Sequence, residues 1–294
     1  MKNIVFRYLS VWFIGLIILF SCETNNSNYI VYPDSDNFPF FFIVLADSHI
    51  SLESEKSMNN LGKAIEICNH LNPSFVIVCG DLIQTPSDQS QADKFLEITG
   101  QLDPEIPLFL CPGNHDIGME PTLESLGFYK NKFGPDRYIE IFRNTGLVTI
   151  NSSLIKNPGK LKNEESLQLT WLIEKLKDLK VARVNHIFLI MHYPLFLRAP
   201  NEGSNYYNIP PLKRKAYLLL LKQFNVTAVF AGHYHRNSLG TYHSIQMITT
   251  GPVGRPYGDD PSGLRIVKVF FDHIEHLYFG LDDELAIMIN WINE

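Results

Sequence analysis

Surplus positive charge is absent: the 294 residues carry 25 Lys and Arg against 31 Asp and Glu, a formal net charge of −6. No general basic field is available to gather nucleic acid, so an anionic partner needs local help from a metal ion or a few arginines. Cysteine is scarce as well. Cys68, Cys79 and Cys111 follow no zinc-module spacing, and each sits in an apolar stretch, which fits buried small side chains. Cys79 and Cys111 both end strand-like runs, and a disulfide between them is the alternative. There is no internal repeat, no low-complexity tract and no linker that would split the chain. The longest N-terminal apolar run, Val11–Phe20, is short for a membrane span. What remains is a chain 45% hydrophobic and 19% charged, ample for the core of one large domain and unlike a disordered composition.

Lys2 and Arg7 flank the start of that run, so Met1–Cys22 reads as an export leader and stays outside the fold. Leu19-Phe20-Ser21-Cys22 resembles the lipobox of bacterial lipoproteins, which implies an exported protein held at a periplasmic or surface membrane by lipid on Cys22. A plain cleaved signal peptide and an uncleaved anchor are the alternatives. Membrane retention that survives replacement of Cys22 argues for the anchor. Residues 23–36 read as a tether and 37–294 as the domain.

Phe40–Ala46 is a continuous apolar run, as expected of a strand covered on both faces. Ser57–Leu71 places Met58, Leu61, Ile65, Cys68 and Leu71 on one helical stripe. Phe75–Cys79, a helix over Gln91–Leu102 and Leu108–Cys111 complete a β-α-β-α-β start, which predicts a largely parallel, helix-covered α/β core. Met119–Phe133 has no clean period and reads as a lid or short helices. Tyr138–Phe142 and Leu147–Ile150 alternate as antiparallel strands do, Ser166–Leu179 reads as a helix, and Asn185–Met191 as a strand. Arg198–Asn208 is a polar loop carrying Tyr206 and Tyr207. Pro210–Phe224 reads as a helix opened by prolines, Val226–Ala231 as a strand, and Ser244–Thr249, Leu264–Phe271 and Glu275–Phe279 as short strands.

Polar groups gather where these runs stop. Asp47-Ser48-His49, Gly80-Asp81, Gly113-Asn114-His115-Asp116, His192 and Gly232-His233-Tyr234-His235 each follow an apolar stretch, where ligands bind in an α/β sheet. Any one of them alone is more simply a surface turn or a core histidine. Together they offer Asp47, His49, Asp81, Asn114, His192, His233 and His235 as donors, with no thiolate. Carboxylate, imidazole and carboxamide suit manganese, iron or zinc. Seven donors exceed one tetrahedral ion and suit two divalent or trivalent ions about 3.5–4 Å apart, sharing a carboxylate. A hydroxide bridging such a pair is a nucleophile at neutral pH. Arg198, Arg236 and Arg255 are candidates to hold a phosphate, while Tyr206 and Tyr207 are candidates to line a groove. His70, His186, His243, His273 and His276 fall outside the motifs and read as surface or satisfied core histidines.

This ordered set resembles the calcineurin-like metallophosphoesterase superfamily over residues of about 40–280. The resemblance implies a four-layer α/β/β/α sandwich. It assigns Asp47, His49, Asp81 and His235 to one ion and Asp81, Asn114, His192 and His233 to the other, with Asp81 bridging. His115 takes the role of general acid toward the leaving alkoxide, and Asp116 either orients His115 or caps the next helical turn. Gly113–Gly118, His192-Tyr193-Pro194-Leu195-Phe196-Leu197, Gly232–Asn237 with Gly240-Thr241-Tyr242, and Gly263-Leu264-Arg265 further resemble the calcineurin-like phosphoesterase domain-containing protein 1 group, whose members are described as serine/threonine protein phosphatases. The expected activity is hydrolysis of a phosphomonoester substrate, with phosphoserine or phosphothreonine of a protein as one form. A phosphodiesterase or pyrophosphatase acting on nucleotides or lipid headgroups is the alternative, and a non-catalytic metal-stabilised module the third reading. No nucleic acid is expected as a structural partner.

Overall fold

A computed structural model describes residues 30–31 and 38–294, the first pair as backbone only. The leader and Cys22 lie outside the described residues, as does the rest of 23–36. In chain order the elements begin with β1 (Ile30–Val31), β2 (Phe40–Leu45), α1 (Glu55–Leu71), β3 (Val76–Val78), α2 (Gln89–Thr99), β4 (Leu108–Leu110), α3 (Asn114–Ile117) and α4 (Leu123–Lys132). Then come β5 (Tyr138–Phe142), β6 (Thr145–Thr149), α5 (Ser152–Lys156), α6 (Lys162–Ala182), β7 (His186–Ile190), α7 (Pro211–Gln223) and β8 (Ala228–Ala231). The chain closes with β9 (Ser238–Tyr242), β10 (Ile245–Thr249), β11 (Gly263–Val269), β12 (Ile274–Gly280) and α8 (Leu285–Asn293).

The strands form two sheets, β12-β11-β2-β3-β4 and β1-β5-β6-β7-β8-β10-β9. The run Phe40–Ala46 shows why they stack. Alternate side chains of a strand point to opposite faces, and here Phe40, Phe42, Val44 and Ala46 enter the cluster between the sheets while Ile43 and Leu45 face the helices. The layer between the sheets is built largely of phenylalanine, with Phe42 stacked on Phe75 at 4.6 Å and edge-on to Phe230 at 5.5 Å. Such pairs add about 0.5–1.5 kcal/mol to the area they bury. One outer cluster takes Leu61 and Ile65 of α1, Phe95 of α2, Leu126 and Tyr129 of α4 and Met288 of α8. The other takes Leu172 and Leu176 of α6 and Tyr217 and Leu221 of α7. The result is the expected four-layer α/β/β/α sandwich.

Register then brings the motifs together. Parallel pairing sets Leu45 opposite Val78 and Val78 opposite Leu110, so β2, β3 and β4 end level. In the other sheet, β7 and β8 run parallel with Ile190 opposite Phe230. All five motifs leave the C-terminal ends of these five strands.

Several elements differ from expectation for identifiable reasons. Met119–Phe133 contains α4, opened by a capping box between Thr122 and Ser125. Only Ser125, Leu126 and Tyr129 of that helix are buried, too few to leave a stripe in the sequence. The hairpin strand β9 is polar and buries only Gly240, against Phe196. Ile30–Val31, inside the tether, lies parallel to β5. Cys68, Cys79 and Cys111 are buried free thiols, so the disulfide alternative is not formed. Burial pushes the Cys68 thiol up to about 12, which leaves it chemically inert.

Candidate metal centre

The donors hang on unusual backbone. Asp47, His49, Asp81, His233 and His235 all have positive φ, between 45° and 66°. For a residue with a Cβ this left-handed region costs about 1–2 kcal/mol each, and clustering of such residues marks a functional site. Neighbouring loops hold them there. The Asp47 N–H donates to the Gly80 carbonyl (3.1 Å), His49 N–H to Asp81 (2.9 Å) and Ile50 N–H to Leu82 (3.1 Å). Two glycines permit the close approach. A Cβ on Gly80, itself at φ 79°, would sit 2.7 Å from His192 Nδ1, and one on Gly113 only 2.2 Å from Asp81 Oδ1.

Two buried groups of donors converge. In one, the ligand atoms of Asp47, His49, Asp81 and His235 lie within 4.8 Å of one another; in the other, those of Asp81, His192 and His233 do. Asp81 belongs to both, its Oδ2 lying 3.4 Å from His49 Nε2 and 3.2 Å from His192 Nε2. Asn114 Oδ1 adds an oxygen 3.1 Å from His192 Nε2, and His233 Nδ1 is 3.2 Å from the same nitrogen. Across the site His49 Nε2 faces His235 Nε2 at 3.0 Å.

Backbone carbonyls fix which nitrogen each ring presents. His192 Nδ1–H donates to the Cys79 carbonyl (2.8 Å), His233 Nε2–H to Tyr206 (3.3 Å) and His235 Nδ1–H to Arg255. In each ring the opposite nitrogen is left to face the donors, the arrangement that orients metal-binding imidazoles. His49 is the exception, since its buried Nδ1 has no hydrogen-bond partner among the described residues. The Asp47 carboxylate also accepts the His233 backbone N–H at 2.9 Å.

Charge is unevenly settled without an ion. Burial alone would lower His192, but Asp81 and then Asp47 beside it hold it up at about 9. Burial would raise Asp81, yet His192, followed by His49 and His115, holds its carboxyl below the usual range. Asp47 is raised, chiefly by burial. Burial also pushes His49 down to about 3 and His233 well below the usual imidazole range. Buried carboxyl groups and imidazoles aimed at common points, all nitrogen and oxygen donors sharing one carboxylate, fit a dinuclear metal site.

His115 stands outside the donor groups but is tied to them. Its backbone N–H donates to Asp81 Oδ1 (2.7 Å) and its ring Nδ1–H to the Gln84 carbonyl (2.6 Å). Its ring meets His49 edge-on at 4.6 Å. Gln84 is held in turn by Gln91 on the first turn of α2, whose Oε1 accepts the backbone N–H of Gln84 (3.0 Å) and Thr85 (2.8 Å). Asp116 makes no hydrogen bond to the His115 ring among the described residues. It accepts N–H bonds from Gly113 (2.7 Å), Leu82 (2.8 Å) and Ile83 (3.1 Å), capping α3 and tying the two loops. Of the two readings of Asp116, capping is the one realised.

Among the arginines, Arg255 lines the cavity over the donors, as do Tyr206 and Tyr207. Arg236 and Arg198 are exposed and do not line it; Arg236 donates instead to the Tyr257 carbonyl (2.7 Å). His186 is satisfied by the Phe270 carbonyl and His276 by Arg265 and Gln246. Gln84, Gln91 and the orienting carbonyls were not singled out from the sequence. A carbonyl exists at every residue and carries no signal, and the two glutamines fit no spacing rule.

Comparison with known proteins agrees with this geometry. Residues 42–237 match the family model described as calcineurin-like phosphoesterase. The human serine/threonine-protein phosphatase CPPED1 is 33% identical over 266 residues, covering 83% of this chain and 85% of its own. A probable cyclic nucleotide phosphodiesterase of Colwellia psychrerythraea is 23% identical over 229 residues, 75% of this chain and 79% of its own. The crystal structure of a dimetal phosphatase from Danio rerio superposes with a TM-score of 0.54 at 17% identity, over 82% of this chain and 99% of that one.

Proposed function

The chain belongs to the calcineurin-like phosphoesterase family, a metal-dependent phosphoester hydrolase with a buried Asp/His dimetal site, and from there we propose that it cleaves phosphomonoesters, phosphoserine or phosphothreonine of a protein among them. The observation that carries this is Asp81, whose carboxylate touches both histidine groups and also takes the His115 N–H. Asp47, His49, Asp81 and His235 would hold one ion and Asp81, Asn114, His192 and His233 the other. Two such ions, when bound, supply an activated water and neutralise the phosphoryl oxygens. His115 supplies the proton. With Nδ1 bonded to the Gln84 carbonyl, Nε2 is the nitrogen that gives its proton to the leaving oxygen, a role imidazole suits near neutral pH. Similarity to CPPED1, named a serine/threonine-protein phosphatase, supports the protein substrate.

Chelation should abolish hydrolysis of 4-nitrophenyl phosphate and of a phosphothreonine peptide, and manganese, iron or zinc should restore it. No metal-dependent hydrolysis across a broad ester panel would sink the reading. The likeness to a probable cyclic nucleotide phosphodiesterase favours diester cleavage as a second reading. Faster turnover of bis(4-nitrophenyl) phosphate than of the monoester would put that one first.

A further inference from the structure

Three cavities meet at the site. One of about 100 Å³ lies over the donors. A second, about 550 Å³, opens past His49 and Arg255 toward the start of α1, with Glu53 and Lys56 in its wall. The third, about 500 Å³, is lined by Gln84, Thr85, Pro86, Met119 and Tyr206 together with the Asn114–His115 turn. Gln84, His115 and Tyr206 line both the first and the third, so those two join at the His115 ring.

In-line displacement expels the leaving oxygen from the face opposite attack, and an acid must lie within hydrogen-bond reach of it. If His115 is that acid, a premise taken from the reading above, the leaving group's carbon skeleton extends past His115 and away from the donors. The third cavity begins there. His115 does not line the second. The two also differ in chemistry. Among the described residues, no Asp, Glu, Lys or Arg lines the third cavity, and Met119 and Tyr206 present large apolar surfaces that are 48% and 50% exposed.

Its Tyr206 wall is preformed. Arg214, buried on α7 with no carboxylate bonded to it among the described residues, donates to the carbonyls of Pro200, Glu202, Gly203 and Ile209. Lys156 donates to those of Asn205 and Asn208 on either side of the two tyrosines. A loop pinned from below at six carbonyls does not depend on substrate for its shape.

We propose that the cavity beyond His115 is a leaving-group subsite selecting phosphate esters whose alcohol or phenol is uncharged and apolar beside the ester oxygen. A charged substituent would lose hydration against Met119 and Tyr206, and His115, the cationic group of the lining, is already engaged at the ester oxygen. An aryl or alkyl one removes apolar surface from water, and discrimination of this kind is worth on the order of tenfold.

The test compares kcat/KM for phenyl and 4-carboxyphenyl phosphate with the metal-loaded chain. Phenyl phosphate should be favoured by about tenfold, although the carboxyphenol is intrinsically the better leaving group. Met119→Lys, at a half-exposed position that tolerates it, should narrow or invert that ratio; Lys56→Ala, in the second cavity, should leave it unchanged. A wild-type ratio of one or below overturns the subsite, as does a ratio indifferent to Met119→Lys. His115→Ala isolates the premise. It should cost phenyl phosphate far more than 2,4-dinitrophenyl phosphate, whose leaving group needs no proton, and equal losses overturn the acid assignment itself. Hydrolysis of neither ester overturns the phosphoesterase reading and the subsite with it.

Discussion

The two sheets contribute different chemistry to one site. The five-stranded sheet, through the ends of β2, β3 and β4, supplies every oxygen donor, Asp47, Asp81 and Asn114, together with His49 and His115. The seven-stranded sheet, through β7 and β8, supplies imidazoles only: His192, His233 and His235. Neither half is a site. One sheet alone would hold clustered carboxylates without a countercharge, the other imidazoles without a carboxylate. The phenylalanine layer that stacks the sheets is therefore as much a determinant of function as the donors, and Asp81 is the carboxylate common to both donor groups.

Removing that shared group should produce the largest effect. Asp81→Asn should release both ions and lower kcat by about a thousandfold or more, the several kcal/mol that metal catalysis contributes. Metal content per chain, measured beside activity, checks it. Retention of one ion at full occupancy would mean that Asp81 is not the shared ligand on which both ions depend.

Next come two adjacent residues of the same sheet with opposite signatures. His115→Ala should lower kcat by about 10²–10³ with both ions retained, since it touches Asp81 only through its backbone. Asn114→Ala should do the reverse, weakening metal retention at the His192 and His233 side while leaving the acid in place. Equal metal loss in both variants would erase the distinction between donor and acid within the turn.

The ordered motifs carried the family resemblance that implies those two jobs; the residue pattern itself showed only that polar groups gather where each apolar run stops. Phe40–Ala46 also marked a strand covered on both faces, as it is by helices on one side and the second sheet on the other; that the second cover is a sheet was implied by the family resemblance alone. Other features had no sequence signal. Positive φ at five donors depends on neighbouring loops rather than on residue type, as Asp47 and His233 show. The carbonyls of Cys79, Tyr206 and Arg255 orient imidazoles regardless of the side chains that accompany them. Residue type leaves Asp116 open to two roles, and the three backbone N–H groups that converge on its carboxylate decide for the cap.

The imidazole half also predicts opposite pH slopes for the empty and loaded protein. His192, raised to about 9 from an ordinary 6.5, contributes stability to the metal-free fold that is fully present below pH 6.5 and lost as pH rises through 9. Metal uptake must displace the same proton, so affinity should strengthen across that window by up to about tenfold per pH unit and then level off. Thermal melts with and without metal, run between pH 6 and 9.5, read both. Parallel slopes would mean that His192 is not the protonated group.

The smallest expected effect lies on the oxygen-bearing sheet, one step removed from chemistry. Gln91 touches no donor. Its Oε1 holds the backbone N–H groups of Gln84 and Thr85, and the Gln84 carbonyl fixes the His115 ring through Nδ1. Gln91→Ala frees that loop, so the acid should spend more time misaligned while the metal site, built on other contacts, stays intact. Kcat for phenyl phosphate should fall about tenfold, as supporting contacts typically cost, and kcat for 2,4-dinitrophenyl phosphate should hardly change, because its leaving group departs unprotonated. Gln91→Glu keeps an acceptor oxygen at the same reach and should restore most of the loss. Combined with His115→Ala, Gln91→Ala should add nothing further, since its effect runs through that ring. Additive losses in the double variant, or equal losses for the two esters, would show that Gln91 supports the fold of the α2 entry and not the alignment of the acid.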